Sequence, residues 1–413
     1  MTRTLKIWLG IGVAVFVMMG CAIAVATYYA VSAIHARKLF KEGYTAMNRR
    51  DYATAVRCFD EALRRPLGHY YAAYAHLDRG FSQERLHHGA EALQDYSQAI
   101  KIKPDFTEAY AYRGALHDER REQNDAFHDY SEAIRVDSNA AWPLYCRGMI
   151  FLQRKEPEKA IADFSEAIRA SPNYLAGYIQ RGIAYKANND WDSALANFEA
   201  AISIDPNSSR AYVQRAYVYR HKGQTDKEIS NFTEAIRINP KDKFLLEYRA
   251  KAYDRKGDVD RAIADFTALI NLTQSRTRSP YEYRAREYAR KGDYANALAD
   301  FKQARQIEGD VGSGGKSLPW LLATCPESSF RNGKEAIAEA LKDCESTHWI
   351  SFNCIDTLAA AYAEDKDFEQ AIAFEQQALQ KDGCSAELRT EMEKRLGLYK
   401  KHQPYRDTIR SRK

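Results

Sequence analysis

A spacing of 34 residues constrains this chain more than any other feature. Gly80, Ala92, Tyr96 and Ala99 recur as Gly114, Ala126, Tyr130 and Ala133, as Gly148, Ala160, Phe164 and Ala167, and as Gly182, Ala194, Phe198 and Ala201. The series opens with Gly43, Ala55, Phe59 and Ala62. It continues through Ala216, Phe232 and Ala235, through Ala250, Ala262 and Phe266, and through Ala285, Ala297, Phe301 and Ala304, with Glu228 replacing the first Ala of the sixth unit. Steps of three and four place the later members on one helical face, and Pro66, Pro104, Pro172, Pro206 and Pro240 stop that helix. Each unit reads as a hairpin of two helices, A and B, with the small residue on helix A. One hairpin cannot bury its apolar face alone, so the units must stack. The 413 residues therefore predict an all-α repeat array, where length alone suggests two or three globular domains.

These residues resemble the tetratricopeptide repeat, and eight units cover residues 37–308. The resemblance implies a right-handed α-solenoid whose helix A faces line an extended groove. The strings LPWLLATCP, RNGKEAIAEALKDCE and DTLAAAYAEDKDFEQAIAFEQQAL look like the closing repeats of many bacterial proteins of this kind. The expected organisation is a membrane or signal segment at 1–36, eight repeats at 37–308 and a Gly-rich linker at 309–317. Two divergent repeats at 318–384 follow, then a capping helix with a basic tail at 385–413.

Arg stands just before the small residue in seven units, at Arg79, Arg113, Arg147, Arg181, Arg215, Arg249 and Arg284. Sixteen residues later come Asp95, Asp129, Asp163, Asn197, Asn231, Asp265 and Asp300. In the first unit both positions change together, to Glu42 and Cys58. Paired variation of this kind predicts a structural ladder of guanidinium groups meeting carboxylates or amides between helices A and B; the alternative is an array of seven basic ligand contacts.

From Ile7 to Ile34 no charged residue or His occurs. As a helix this stretch exceeds the ~30 Å of a bilayer core and predicts a single transmembrane helix before the repeats. A cleaved signal peptide is one alternative, because small-x-small sites such as Ala22-Ile23-Ala24 are present; lipid attachment at Cys21 in Met18-Met19-Gly20-Cys21 is another. Two basic residues precede the span and five follow it, which by charge alone keeps the repeats in the cytoplasm. The short basic start followed by one apolar run is also the layout of an exporting anchor, and the expectation is a single-pass bacterial inner-membrane protein with a periplasmic soluble part.

Net charge is +5, but residues 1–50 and 389–413 each carry +6, leaving −7 for residues 51–388. An acidic middle does not suit a phosphate track, so no nucleic acid is expected as a partner. No HExxH and no Gly-x-Ser-x-Gly occurs, and Asp310 to Ser317 spells a phosphate loop without its first Gly and after a helix rather than a strand. No catalysis, cofactor or metal is expected. Sequons at Asn207, Asn231 and Asn271 fall inside the repeat pattern. In an antiparallel stack the end of one helix meets the start of the next, which places Cys344 near Cys354, with Cys384 close behind; small buried thiols are the first reading, and a Cys344–Cys354 disulfide is the alternative should the soluble part be exported to an oxidising compartment.

A strip of helix A offset from the buried face predicts a partner-binding groove of Leu77, Phe81, Trp142, Tyr145, Met149, Tyr217, Arg220, Arg286 and Arg290. The alternative for its aromatics is packing against the next repeat. Arg220, His221, Arg255, Arg286 and Arg290 would favour an acidic segment of a protein or peptide ligand. Lys and Asn are not arranged as in the carboxylate clamp of this family.

Overall fold

Short amphipathic runs rich in Ala and bounded by turn residues become helices throughout the described residues, and no strand occurs among them. A computed structural model describes residues 3–274, 277–307 and 318–407. The Gly-rich linker at 309–317 and the phosphate-loop-like string lie outside them. Two compact units are present, Met1–Ile204 and Asp205–Lys413.

The first unit holds five hairpins. They are α1 (Arg3–Asn48) with α2 (Tyr52–Leu63), α3 (His69–Arg85) with α4 (Gly89–Ile102), and α5 (Thr107–Glu119) with α6 (Gln123–Val136). Two more follow, α7 (Ala141–Gln153) with α8 (Pro157–Ala170), and α9 (Leu175–Ala187) with α10 (Trp191–Ile204). Helix α1 does two jobs in one continuous run. Phe16, Met18, Met19, Ile23 and Ile34 on its first part are exposed, whereas Ala36 and Leu39 are buried against Ala55, Phe59 and Ala62 of α2. The apolar segment thus leads without a break into the first repeat, and repeat packing starts at Ala36.

The second unit begins with three further hairpins. These are α11 (Ser209–His221) with α12 (Thr225–Ile238), α13 (Lys243–Lys256) with α14 (Val259–Leu272), and α15 (Ser279–Lys291) with α16 (Tyr294–Gln306). The rest is shorter and less regular: α17 (Leu318–Thr324), a 3-10 turn at Ser328–Phe330, α18 (Gly333–Ser346), α19 (Phe352–Glu364), α20 (Phe368–Leu379) and α21 (Ala386–Tyr399).

The repeat signature is the packing of each hairpin. Phe59, Tyr96, Tyr130, Phe164, Phe198, Phe232 and Phe266 are almost wholly buried, each contributing roughly 1.5–3 kcal/mol through burial. In the five units with Gly at the small position of helix A, the ring lies on that glycine. A Cβ added at Gly148 would sit 2.7 Å from the Phe164 ring, and one at Gly182 2.5 Å from Phe198. The helices can approach this closely because those positions lack a side chain.

Helix A ends each time in a left-handed residue. His87, Arg121, Lys155 and Asn189 take φ of 64°, 62°, 59° and 58°, and Gly223, Gly257 and Gly292 take 68°, 82° and 83°. A reversal of this kind caps helix A and returns the chain as helix B.

Helix α21 is fixed to the second unit by a buried ion pair. Arg395 donates from Nε and Nη2 to the Asp356 carboxylate on α19 at 2.9 and 3.0 Å, and Glu375 on α20 lies 3.5 Å away. Burial holds the Asp356 and Glu375 carboxyls above their ordinary range, most of all Glu375. Cys344, Cys354 and partly buried Cys384 meet in one core cluster with Met392, all as free thiols, and burial pushes Cys344 up to about 12.

Candidate functional site

All seven ladder arginines lie against the residue sixteen positions on. Nε and Nη2 grip both carboxylate oxygens in five units: Arg79 with Asp95 at 2.8 and 2.6 Å, Arg113 with Asp129 at 2.8 and 2.7 Å, and Arg147 with Asp163 at 2.8 and 2.9 Å. Arg249 with Asp265 gives 2.8 and 2.8 Å, and Arg284 with Asp300 2.7 and 2.8 Å. Arg181 and Arg215 donate to the Asn197 and Asn231 carbonyls at 2.8 and 2.7 Å, and each amide N–H returns to its own helix. Asn231, the middle sequon, is thereby buried.

A third contact was not foreseen from the spacing. Nη1 of Arg113, Arg181, Arg249 and Arg284 donates to Ser97, Ser165, Thr233 and Thr267 on helix B of the preceding repeat, at 3.0, 3.1, 3.1 and 2.9 Å. Each of these hydroxyls stands two residues after the preceding repeat's own ladder acid or amide. The guanidinium therefore joins its own hairpin to the previous one. Each ladder guanidinium thus has a partner within the chain rather than pointing into open solvent.

The predicted groove residues part company. Leu77 and Phe81 line a cleft of about 770 Å³ in the first unit, together with Phe40, Tyr44, Tyr70, Tyr71, Tyr74 and Tyr112. Most of its side chains come from α1, α3 and α5, the A helices of three consecutive repeats, and Arg50 and Tyr52 join them from the first turn and the start of α2. On α3 the lining residues Tyr70, Tyr74, Leu77, Asp78 and Phe81 follow helical periodicity, so the same face is presented throughout. The rings touch in two series. Phe40 meets Tyr71 at 5.5 Å, Tyr71 meets Tyr70 at 5.4 Å, and Tyr70 meets Tyr74 at 4.9 Å. Tyr52 meets Phe81 at 6.4 Å, Phe81 meets Tyr112 at 5.8 Å, and Tyr112 meets Trp142 at 5.7 Å. Trp142, also predicted in the groove, is 39% exposed beside this aromatic series.

Tyr145 and Met149 are packed elsewhere. Tyr145 lies 5.8 Å from Phe164 and 5.4 Å from Tyr174, and Met149 joins the same cluster with Ala160 and Ala184. In the second unit Tyr217 lies against Phe232 at 6.0 Å and Tyr248 at 5.6 Å. For these three residues the immediate role is contact within and between repeats. The basic patch is also largely spoken for. Arg290 bonds to Glu287 at 2.9 Å and to Asp254, Arg255 bonds to Glu228 at 2.6 Å, and Arg286 lies over the Tyr283 ring at 5.5 Å. Arg220 and His221 are exposed. An acidic ligand segment loses Arg255 and Arg290 as ready partners, because like pairs within the chain already neutralise them.

Sequence reasoning missed Tyr70, Tyr71, Tyr74 and Asp78, although one signal was available. Two residues before the small position the eight repeats carry Lys41, Asp78, Tyr112, Cys146, Gln180, Gln214, Tyr248 and Tyr283. Asp78 is the sole acid in that register. Elsewhere, His117, Glu122 and Asp125 bring ligand-type atoms within 4.8 Å of one another, but His117 already bonds to Glu122 at 2.6 Å and both carboxylates are exposed.

Paired helices with a recurrent small residue, stacked so that A helices share a lined cleft, define a helical repeat protein. Tetratricopeptide repeat family models match residues 40–105, 179–243 and 144–174, so the chain carries tetratricopeptide repeats. Solved structures similar to it include MamA, at 25% identity over 39% of this chain and 95% of that one, with a TM-score of 0.38. A tetratricopeptide repeat protein from Parabacteroides merdae is 20% identical over 58% of this chain and 94% of its own, with a TM-score of 0.44. YrrB, a tetratricopeptide repeat protein with an unusual peptide-binding site, is 19% identical over 50% and 97%, with a TM-score of 0.38. No curated protein matches the chain.

Proposed function

We propose that this protein is a membrane-tethered scaffold that captures an extended protein or peptide segment, without catalysis and without nucleic acid. The observation that carries the reading is the cleft of about 770 Å³ built by the A helices of the first three repeats and lined by touching aromatic rings. Rigid rings held on consecutive helices offer large apolar contact at small entropic cost, as hot spots of interfaces do. The tether is the exposed apolar part of α1, whose stretch from Met18 has the length and hydropathy of a membrane span. Because α1 runs on into the first repeat, a ligand in the cleft would be held close to the bilayer. The working organisation remains an anchor at 1–36, eight repeats at 37–308, a linker at 309–317, two divergent repeats at 318–384 and a cap at 385–413, in a bacterial inner membrane with the repeats exported.

A photo-crosslinking amino acid at Phe81, compared with one at exposed Ile350, tests the capture site in intact cells. Discrete crosslinked partners from position 81 and none from position 350 are expected. Equal crosslinking from both positions, or none from 81, overturns the reading.

A further inference from the structure

Asp78 is out of place among the residues that surround it. It stands on α3 four residues after Tyr74 and three before Phe81, so it opens onto the aromatic cleft one helical turn from each ring. Tyr112 faces it from α5. Among the described residues no Lys, Arg or His lies within ion-pair distance of its carboxylate, and no side chain donates to it. Burial alone sets its acidity, pushing the carboxyl up to about 7. The charged groups that share the cleft are Glu108 on α5 and Arg50 at the turn between α1 and α2. Arg37 and Lys103 are occupied on the outer rings, Arg37 5.4 Å over Tyr71 and Lys103 5.5 Å over Tyr74 and 4.5 Å over Phe106.

A half-buried carboxylate ringed by Tyr and Phe is poorly satisfied by the protein itself. The same arrangement satisfies a cation from two directions, because ring faces carry negative potential and the carboxylate supplies the counter-charge. The cleft is also large enough for a long side chain with its flanking backbone. Glu108 adds a second acid on the neighbouring repeat, so two consecutive A helices present negative charge to the same space.

We infer that the cleft between α1, α3 and α5 is a cation-selective subsite, taking a Lys or Arg side chain of an extended protein segment between the Tyr74, Phe81 and Tyr112 rings and the Asp78 carboxylate. The inference rests on the capture role proposed above and names the chemistry of its anchor. It reverses the expectation of an acidic ligand segment drawn from the basic residues of the second unit.

The test uses the full chain in detergent micelles and a positional-scanning heptapeptide library in which one position in turn is fixed as Lys, Arg, Leu, Phe or Glu. Retention of Lys or Arg sub-libraries at least ten-fold above Glu and Leu is expected. Asp78→Asn should remove most of that preference while leaving retention of the Phe sub-libraries within two-fold. Glu108→Gln, on an exposed side chain, provides a second reading and should weaken the Lys preference less, by about two- to three-fold. Selection of Leu, Phe or Glu with both variants neutral overturns the cation subsite while leaving peptide capture standing. Failure to retain any sub-library overturns capture and the subsite together.

Discussion

At the residue scale, the ladder and Asp78 show opposite solutions to placing charge between helices. Asp163 is almost buried and meets the Arg147 fork with two hydrogen bonds. Removing the carboxylate in Asp163→Ala strands a guanidinium in a partly buried site, which costs on the order of 3 kcal/mol. Asp163→Asn retains the acceptor used at Asn197 and Asn231, so a loss of about 1 kcal/mol is expected. Urea melts of the two variants check the order; equal losses below about 0.5 kcal/mol would make the pair a solvated one. Asp78 behaves in the other sense. Its folded-state acidity lies near 7 against an ordinary 3.8, so the folded protein holds a proton that the unfolded chain releases between these values. Stability from this group therefore falls as pH rises from about 4 to 7, and is flat above. Asp78→Asn should melt at nearly the wild-type temperature at pH 4 and higher at pH 8, by on the order of 1–2 kcal/mol after allowance for solvent screening. A gap that is constant with pH would show that Arg50 or solvent already stabilises the charge.

At the scale of elements, helices were legible because the 34-residue period repeats each physical requirement: a small residue, a ring, and a turn. The paired Arg and Asp were legible for the same reason, since both positions change together at Glu42 and Cys58. The Ser and Thr contacts to the preceding repeat were not, because they depend on how hairpins stack rather than on spacing within one hairpin. The cleft aromatics escaped for a related reason. Tyr70, Tyr71 and Tyr74 stand six to ten residues before Gly80, outside the recurring signature, and acquire meaning only when α1 and α5 are set beside α3. The turns carry an independent prediction. Lys155 occupies the left-handed position that Gly fills at Gly223, Gly257 and Gly292. Lys155→Gly should stabilise by about 0.5–1 kcal/mol, since relief of the left-handed strain outweighs the extra freedom of the unfolded chain, and Gly257→Ala should destabilise by a similar or larger amount. Urea denaturation of the pair gives the sign directly, and stabilisation by the Ala variant would contradict the capping role.

At the scale of the molecule, the design of α1 decides what can be removed without harm. A repeat array has only neighbour contacts, so its end unit is held from one side. Here that unit shares its first helix with the apolar segment. Ala36 and Leu39 lie in the core with Ala55, Phe59 and Ala62, and Phe40 touches both Phe59 at 5.7 Å and Tyr71 at 5.5 Å. Residues 3–34 contribute exposed apolar surface instead, where described. A chain lacking residues 1–34 should lose detergent-phase partitioning and keep the wild-type unfolding midpoint in urea. A chain lacking residues 1–48 should lose the first hairpin, because Phe59 and Ala62 then face water and burial of roughly 1.5–3 kcal/mol per large side chain disappears. It should also lose the cleft, since Phe40, Tyr44 and Met47 form its α1 wall. Phase partitioning and urea melts of the two truncations separate the tether from the fold. If the shorter deletion already lowers the midpoint, the apolar part of α1 packs on the repeats and the tether reading fails.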